Sequence, residues 1–190
     1  MEKVLGEHFI FMKPKNIVSG DFYWMAEKNN KIVITVADCT GHGVPGAFMS
    51  MLGHSFLNEI VNNYKITQPG RILNRLRDTV KKALHQTGKM DETKDGMDIA
   101  LCSYHKESRI LEYAGANIPL WLLRDGEVIE IKATRRPVGK HVIQQAFQTQ
   151  KIEIQANDNI YLSSDGFAYH FGGRRNKNYM KKTTISTLFF

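Results

Sequence analysis

The 190-residue chain carries 26 Lys and Arg against 19 Asp and Glu, for a net charge of +7, and is 42% hydrophobic and 10% aromatic. Those proportions fit one globular domain with a full core and exclude a disordered chain. No apolar run approaches the ~18 residues of a membrane span, and MEKVLGEHF lacks a signal-peptide pattern, so a cytoplasmic protein is expected.

Five basic residues (Arg174, Arg175, Lys177, Lys181, Lys182) and no acid lie beyond residue 170. Most of the excess charge is therefore a property of the tail, and a nucleic-acid partner is not expected. In chain order, HFIFMK (8–13) alternates loosely up to Pro14, which predicts an edge strand. IVSGDFYWMA (17–26) then leads through Asn29-Asn30 into a β-branched run at 31–37, the pattern of a hairpin. This hairpin sets Asp21 and Asp38 at similar distances from the turn on paired strands. Two neighbouring carboxylates repel, so a site that holds a cation explains them better than packing does.

Asp38 closes the strand, and Gly41, Gly43 and Gly46 follow it in ADCTGHGVPG. A carboxylate at such a junction is either a turn cap or a functional group fixed by the sheet and reachable from the loop. A helix is predicted over 46–63, with Phe48, Met51, Leu52, Ser55, Phe56 and Ile60 as its buried stripe. A second helix starts at Gln68-Pro69, where proline suits the first helical position. It buries Ile72, Leu73, Leu76, Val80, Ala83 and Leu84, with Arg71, Arg75, Arg77, Lys81 and Lys82 on a solvated face.

After a polar loop at 87–96 the pattern turns to strands at 97–105, 109–114, 119–124, 127–132, 146–154 and 159–164, with a hairpin turn at Asp125-Gly126. Strands, two helices and strands again predict an α+β fold, antiparallel sheet with helices on a face. The last strand ends on Asp165-Gly166, repeating the grammar of the first site. Asp21, Asp38 and Asp165 are thus three carboxylates at strand ends, hard oxygen donors suited to Mg²⁺ or Mn²⁺. Asp98, at a strand start, either orients a neighbour or joins them. Cys39 and Cys102 lie in strand-like contexts without CxxC spacing, which points to a reducing compartment and inert thiols.

SGDFYW, ADCTGHGVPGAFMSM, DGMDIALC, LEYAGANIPLWLLRDGE and IYLSSDGFA, in this order and spacing, resemble the SpoIIE/RsbU-like branch of the PPM metal-dependent Ser/Thr protein phosphatases. The resemblance covers residues 8–173, read as a domain 1–173 followed by a basic tail 174–190. It implies an α-β-β-α sandwich of two antiparallel sheets flanked by helices, with two Mn²⁺ or Mg²⁺ ions at one end. It implies that Asp38 bridges the ions, that the Cys39 carbonyl is a further ligand, and that Asp21 and Asp165 complete the metal centre. Its substrates would be phosphoserine or phosphothreonine proteins of the anti-sigma-antagonist kind in bacterial partner switching, under an upstream sensor domain.

Such a site needs no protein nucleophile, because metal-bound water attacks the phosphorus. His42 serves either as an acid toward the leaving group or, the preferred reading, in bonding the turn backbone, and Lys13 and Lys15 either meet the phosphate or are solvated. Two departures stand out. Tyr169 occupies a position usually acidic in relatives, and the family's final Asp-Asp pair has no counterpart before Phe190. The expectation is one tight and one weaker ion and a tendency to self-associate. A non-catalytic binding module of the same fold is the rival reading.

Overall fold

The computed structural model describes residues 5, 7–14, 16–87, 95–142, 145–167, 171–172 and 177–178. Strands β1 (Phe22–Lys28) and β2 (Lys31–Cys39) form the expected hairpin. Asn29 and Asn30 both take positive φ, 52° and 58°, the conformation a two-residue turn needs to match strand twist. Helix α1 (Gly43–Asn58) runs on into a π-helical turn (Glu59–Asn63), and α2 (Pro69–Ala83) starts on its proline. There follow β3 (Gly96–His105), β4 (Ile110–Ala116), β5 (Leu120–Arg124), β6 (Glu127–Ile131), β7 (Val138–Gly139), β8 (Gln150–Glu153) and β9 (Asn159–Tyr161). A short pair, β10 (Phe171–Gly172) and β11 (Lys177–Asn178), ends the described chain.

The strands make two main antiparallel sheets, and the fold is the α+β sandwich expected. The larger has the order β1-β2-β3-β4-β8, with β7 added at the start of β3; the smaller is β6-β5-β9. Side chains alternate across each strand, so the large sheet has two different faces. Phe22, Trp24, Val33, Ala37, Ile99 and Leu101 pack under the helices against Leu57, Ile60, Ile72, Leu73 and Leu76. Ala100, Cys102, Leu111 and Tyr113 face the small sheet through Ile118, Leu120 and Leu122. Asp125 and Gly126 form the turn between β5 and β6, both at positive φ.

Several expectations change. Residues 8–14 form no strand: Phe9, Ile10, Phe11 and Met12 are all 46–70% exposed, so no alternating face is buried. The Phe9 ring lies 6.4 Å from that of Tyr161 on β9, whereas Met12 shares a cleft with Tyr23, Trp24 and Met25 of β1. The segment thus crosses from one sheet to the other instead of pairing along an edge.

In α1 the buried face is Gly46, Met49, Gly53 and Leu57, while Phe48 and Met51 are more than 60% exposed. Close approach decides this face. A Cβ on Gly53 would lie 2.9 Å from the Phe22 ring, and one on Gly46 2.5 Å from the Gly41 carbonyl oxygen.

Of the strand foreseen at 146–154 only Gln150–Glu153 pairs, because α2 holds the preceding residues. Asn74 bonds both the N–H and the C=O of Phe147, and Arg77 donates to the Gln145 carbonyl at 2.9 Å. Arg77 therefore leaves the solvated face assigned to it, and Ala83, placed in the stripe, is exposed. The last strand likewise stops at Tyr161 rather than 164. Lys15, Tyr169 and nearly all of the tail lie outside the described residues.

Candidate metal centre

The β1–β2 ladder continues one step beyond its last strand pair, with the Cys39 N–H donating to the Gly20 carbonyl at 3.4 Å. This step sets Asp21 opposite Asp38. On its other side Asp38 is the register partner of Asp98 in β3. The β3–β4 pairing reaches Ile99 and Ala116, so Asn117 follows opposite Asp98, and its Nδ2 donates to Asp98 Oδ1 at 2.7 Å. One row, Asp21–Asp38–Asp98–Asn117, thus crosses four strand lines at the end of the face that looks toward the small sheet. Asp165 enters from that second sheet, opening a 3₁₀ turn (Asp165–Phe167) just after β9.

Asp38 is the hub, close enough to Asp21 and Asp165 for both to act on its carboxyl. Burial, then the charges of Asp21 and Asp165, push its carboxyl from the ordinary 3.8 to about 8. Ser164 steadies the group by donating from Oγ to Asp21 Oδ2 at 3.0 Å, and the Asp21 N–H donates to Ser19 Oγ at 3.0 Å. Among the described residues no three His, Cys, Asp or Glu side chains are placed to hold an ion as they stand. What the fold supplies is a set of hard oxygen donors whose mutual repulsion a divalent cation would relieve. The residues present fit Mg²⁺ or Mn²⁺.

The loop between Cys39 and α1 is folded tightly against this row. Gly41 sits at φ 91°, and Gly46 packs on its carbonyl so closely that no side chain fits. Thr40 closes a reciprocal pair with Gly96: the Thr40 N–H donates to the Gly96 carbonyl at 3.0 Å, and the Gly96 N–H donates to Thr40 Oγ1 at 3.2 Å. Both thiols are inert as nucleophiles. Cys39 is 3% exposed and raised to about 12 by burial and by Asp38 and Asp21; burial raises Cys102 further still.

The structure brings Asp21, Asp38 and Asp165 together, with Cys39 next to the hub. His42 is exposed at the N-cap of α1 and makes no capping bond; its ring lies 3.5 Å from the Asn16 amide. The preferred turn-bonding role for His42 is therefore not what the structure shows. Lys13 is exposed on the segment before β1. Ser164 and Asn117 were missed in the sequence. Ser164 precedes Asp165 directly, but only the fold carries its hydroxyl to Asp21, 143 positions away.

The model of the family described as Stage II sporulation protein E (SpoIIE) matches residues 28–181. Among solved structures, the SiaA-PP2C domain of Pseudomonas aeruginosa is 31% identical, with a TM-score of 0.85 over 98% of this chain and 72% of that one. The RsbU and RsbW domains of Rv1364c from Mycobacterium tuberculosis give 20% identity and a TM-score of 0.67, covering 90% of this chain and 44% of theirs. RsbX, solved in complex with magnesium, gives 15% identity and a TM-score of 0.62 over 93% of this chain and 82% of its own. No curated protein sequence matches significantly.

Proposed function

The chain belongs to the SpoIIE family, whose solved neighbours are PP2C-type phosphatase domains, and on that premise we propose that it hydrolyses phosphoserine or phosphothreonine on a regulatory protein. The observation that carries the reading is the convergence of Asp21, Asp38 and Asp165 from two sheets onto one point. Carboxylates at such range are costly alone and become ligands when divalent ions are present. Asp38, central in the row, would be the shared ligand, with Asp21 and Asp165 holding either side and the Cys39 carbonyl as the further donor the family resemblance implies. The magnesium bound by RsbX, of the same fold, supports a divalent metal here.

Two bound ions would supply an activated water and neutralise the phosphate oxygens. The chain's own residues set the geometry: Ser164 fixes the rotation of Asp21, the tight 39–46 loop keeps Asp38 at the surface end of its strand, and the buried thiols stay out of the chemistry. The substrate would be a phosphorylated antagonist of the partner-switching kind, delivered under a sensor domain in the cytoplasm. The three retained carboxylates favour this enzyme over a non-catalytic binding module. Phosphate release from a phosphoserine peptide should require Mn²⁺ or Mg²⁺, stop with chelator and be lost in Asp38→Asn. Turnover that persists in excess chelator would refute the assignment.

A further inference from the structure

The large sheet ends on β1, and no other strand among the described residues pairs with its outer side. The pairing with β2 decides which backbone groups point outward. Residues flanking a two-residue turn form a hydrogen-bonded pair, so Lys28 and Lys31 bond each other. The Cys39 N–H bond to the Gly20 carbonyl falls on the same alternation at the far end of the ladder. Phe22, Trp24, Ala26 and Lys28 therefore direct their N–H and C=O to β2, whereas those of Tyr23, Met25 and Glu27 face away from the sheet. Sheet edges are usually guarded by proline, a bulge or a central charge. β1 reads FYWMAEK, pairs with β2 without a break, and is charged only at its hairpin end. Beside it lies an open cleft lined by Met12, Tyr23, Trp24, Met25, His54 and Asn58, with Tyr23 39% exposed.

A row of outward donors and acceptors beside an apolar cleft fits an added extended strand, and β1 itself is complementary to one. Two copies set antiparallel about a two-fold axis at Met25 bring every outward residue into register. Met25 then lies opposite the partner's Met25, Tyr23 opposite the partner's Glu27, and Glu27 opposite the partner's Tyr23. Each such pair exchanges two bonds, so the register closes about six backbone hydrogen bonds. It also sets Trp24 against the partner's Ala26 and Phe22 against the partner's Lys28, with no like charges opposed. An axis at Trp24 would set Asp21 against the partner's Glu27, and one at Ala26 would leave Tyr23 facing the hairpin turn. Charge and strand length thus select Met25. The Glu27 carboxylate turns inward to Lys106 at 3.6 Å, past the end of β3, which leaves its backbone to the edge. We propose that the chain forms a homodimer in which two β1 edges join the large sheets into one and cover the cleft beside them. No carboxylate of the candidate metal centre takes part, so the proposal stands apart from the phosphatase reading.

Sedimentation equilibrium of the metal-free protein across the micromolar range should show a reversible dimer. Met25→Pro removes an outward N–H and no bond to β2, so its circular dichroism should match the parent's. Its dimer should be at least ~10-fold weaker, because the two-fold axis doubles each lost bond. Met25→Cys is the second variant, and it reads the register directly. Opposed residues of a hydrogen-bonded pair have Cα atoms ~5.5 Å apart, within disulfide range, so Met25→Cys should cross-link two copies on mild oxidation. Glu27→Cys, placed roughly 13 Å from its own copy by four residues of strand, should not. The native Cys39 and Cys102 are buried and do not compete. A parent that stays monomeric overturns the proposal and leaves the edge to a strand of another protein. A dimer that forms equally well in Met25→Pro, or cross-links no better through position 25 than through 27, joins by another face and overturns it too.

Discussion

Replacing Asp38 by Asn should stabilise the metal-free protein, increasingly as pH rises from about 4 to about 8. The Asp38 carboxyl is raised from 3.8 to about 8 by burial and by its two carboxylate neighbours. The folded state therefore holds a proton that the unfolded chain has already released. For an acid with a raised folded pKa the stability it contributes falls as pH rises from about 4 to about 8, and levels off beyond. Each pKa unit corresponds to about 1.4 kcal/mol, so the full span sets an upper bound of about 6 kcal/mol. Asp38 is only half-buried, and solvent screens its neighbours, which brings the expected loss to about 1–3 kcal/mol. For a domain of this size that is a fall of roughly 3–8 °C in melting temperature between pH 5 and pH 9.

The assay is thermal unfolding in chelator across that pH range. The parent should show the decline, Asp38→Asn should lack it, and the two should converge as pH falls toward 4. With saturating Mn²⁺ the order reverses, because an ion at 100 times its Kd adds about 2.7 kcal/mol to the parent and little to the variant. Parallel pH profiles in chelator would mean that Asp38 is not the hub of a repelling cluster, and the electrostatic argument would fail.

Gly46→Ala would stabilise an isolated helix by ~1 kcal/mol, but here its Cβ would meet backbone 2.5 Å away at the Gly41 carbonyl oxygen. A net destabilisation of about 1–3 kcal/mol is expected by denaturant unfolding, with Mn²⁺ affinity falling because the same loop carries Cys39. Phe147, 3% exposed and flanked by Arg77 and Arg136 with their guanidinium carbons 5.8 and 5.1 Å from its ring, anchors the 145–149 stretch to α2. Phe147→Ala should cost about 3–5 kcal/mol, read as a shifted denaturant midpoint. Native Cys39 and Cys102 should resist a thiol reagent at pH 8 and react fully only on unfolding; rapid native labelling of either would contradict their burial.

The hairpin, both helices and most strands were legible because each is a local statement: Asn29-Asn30, Pro69 and Asp125-Gly126 mark turns and starts whatever surrounds them. The buried face of α1 was legible only in part, since Leu52, Phe56 and Ile60 pack on the core as expected. Counting apolar side chains chose Phe48 and Met51, whereas the helix lies on the side where Gly46 and Gly53 let its backbone approach Gly41 and Phe22. Helix periodicity measures side-chain hydrophobicity and is silent about faces made by the absence of a side chain. Residues 8–13 failed for a related reason: alternation shows which pattern a strand would have, and nothing about whether a sheet edge is there to receive it.

The site divides along the same line. Asp21 and Asp38 could be paired from sequence because one short hairpin fixes their register, and a register fixes which side chains share a face. Asp165 matched by pattern alone. Its arrival at Asp38 depends on the small sheet closing over the large one, which local signals do not contain. Asp98 was left undecided between orienting and binding, and the structure shows why the question could not be answered from its neighbours. The residue that orients Asp98 is Asn117, nineteen positions away, and the two meet only because β3 and β4 pair in one particular register. A one-residue slip in that pairing would turn Asn117 to the helical side and leave Asp98 opposite Asp38 without its anchor. The candidate metal centre is thus as much a consequence of strand register as of the acidic residues themselves.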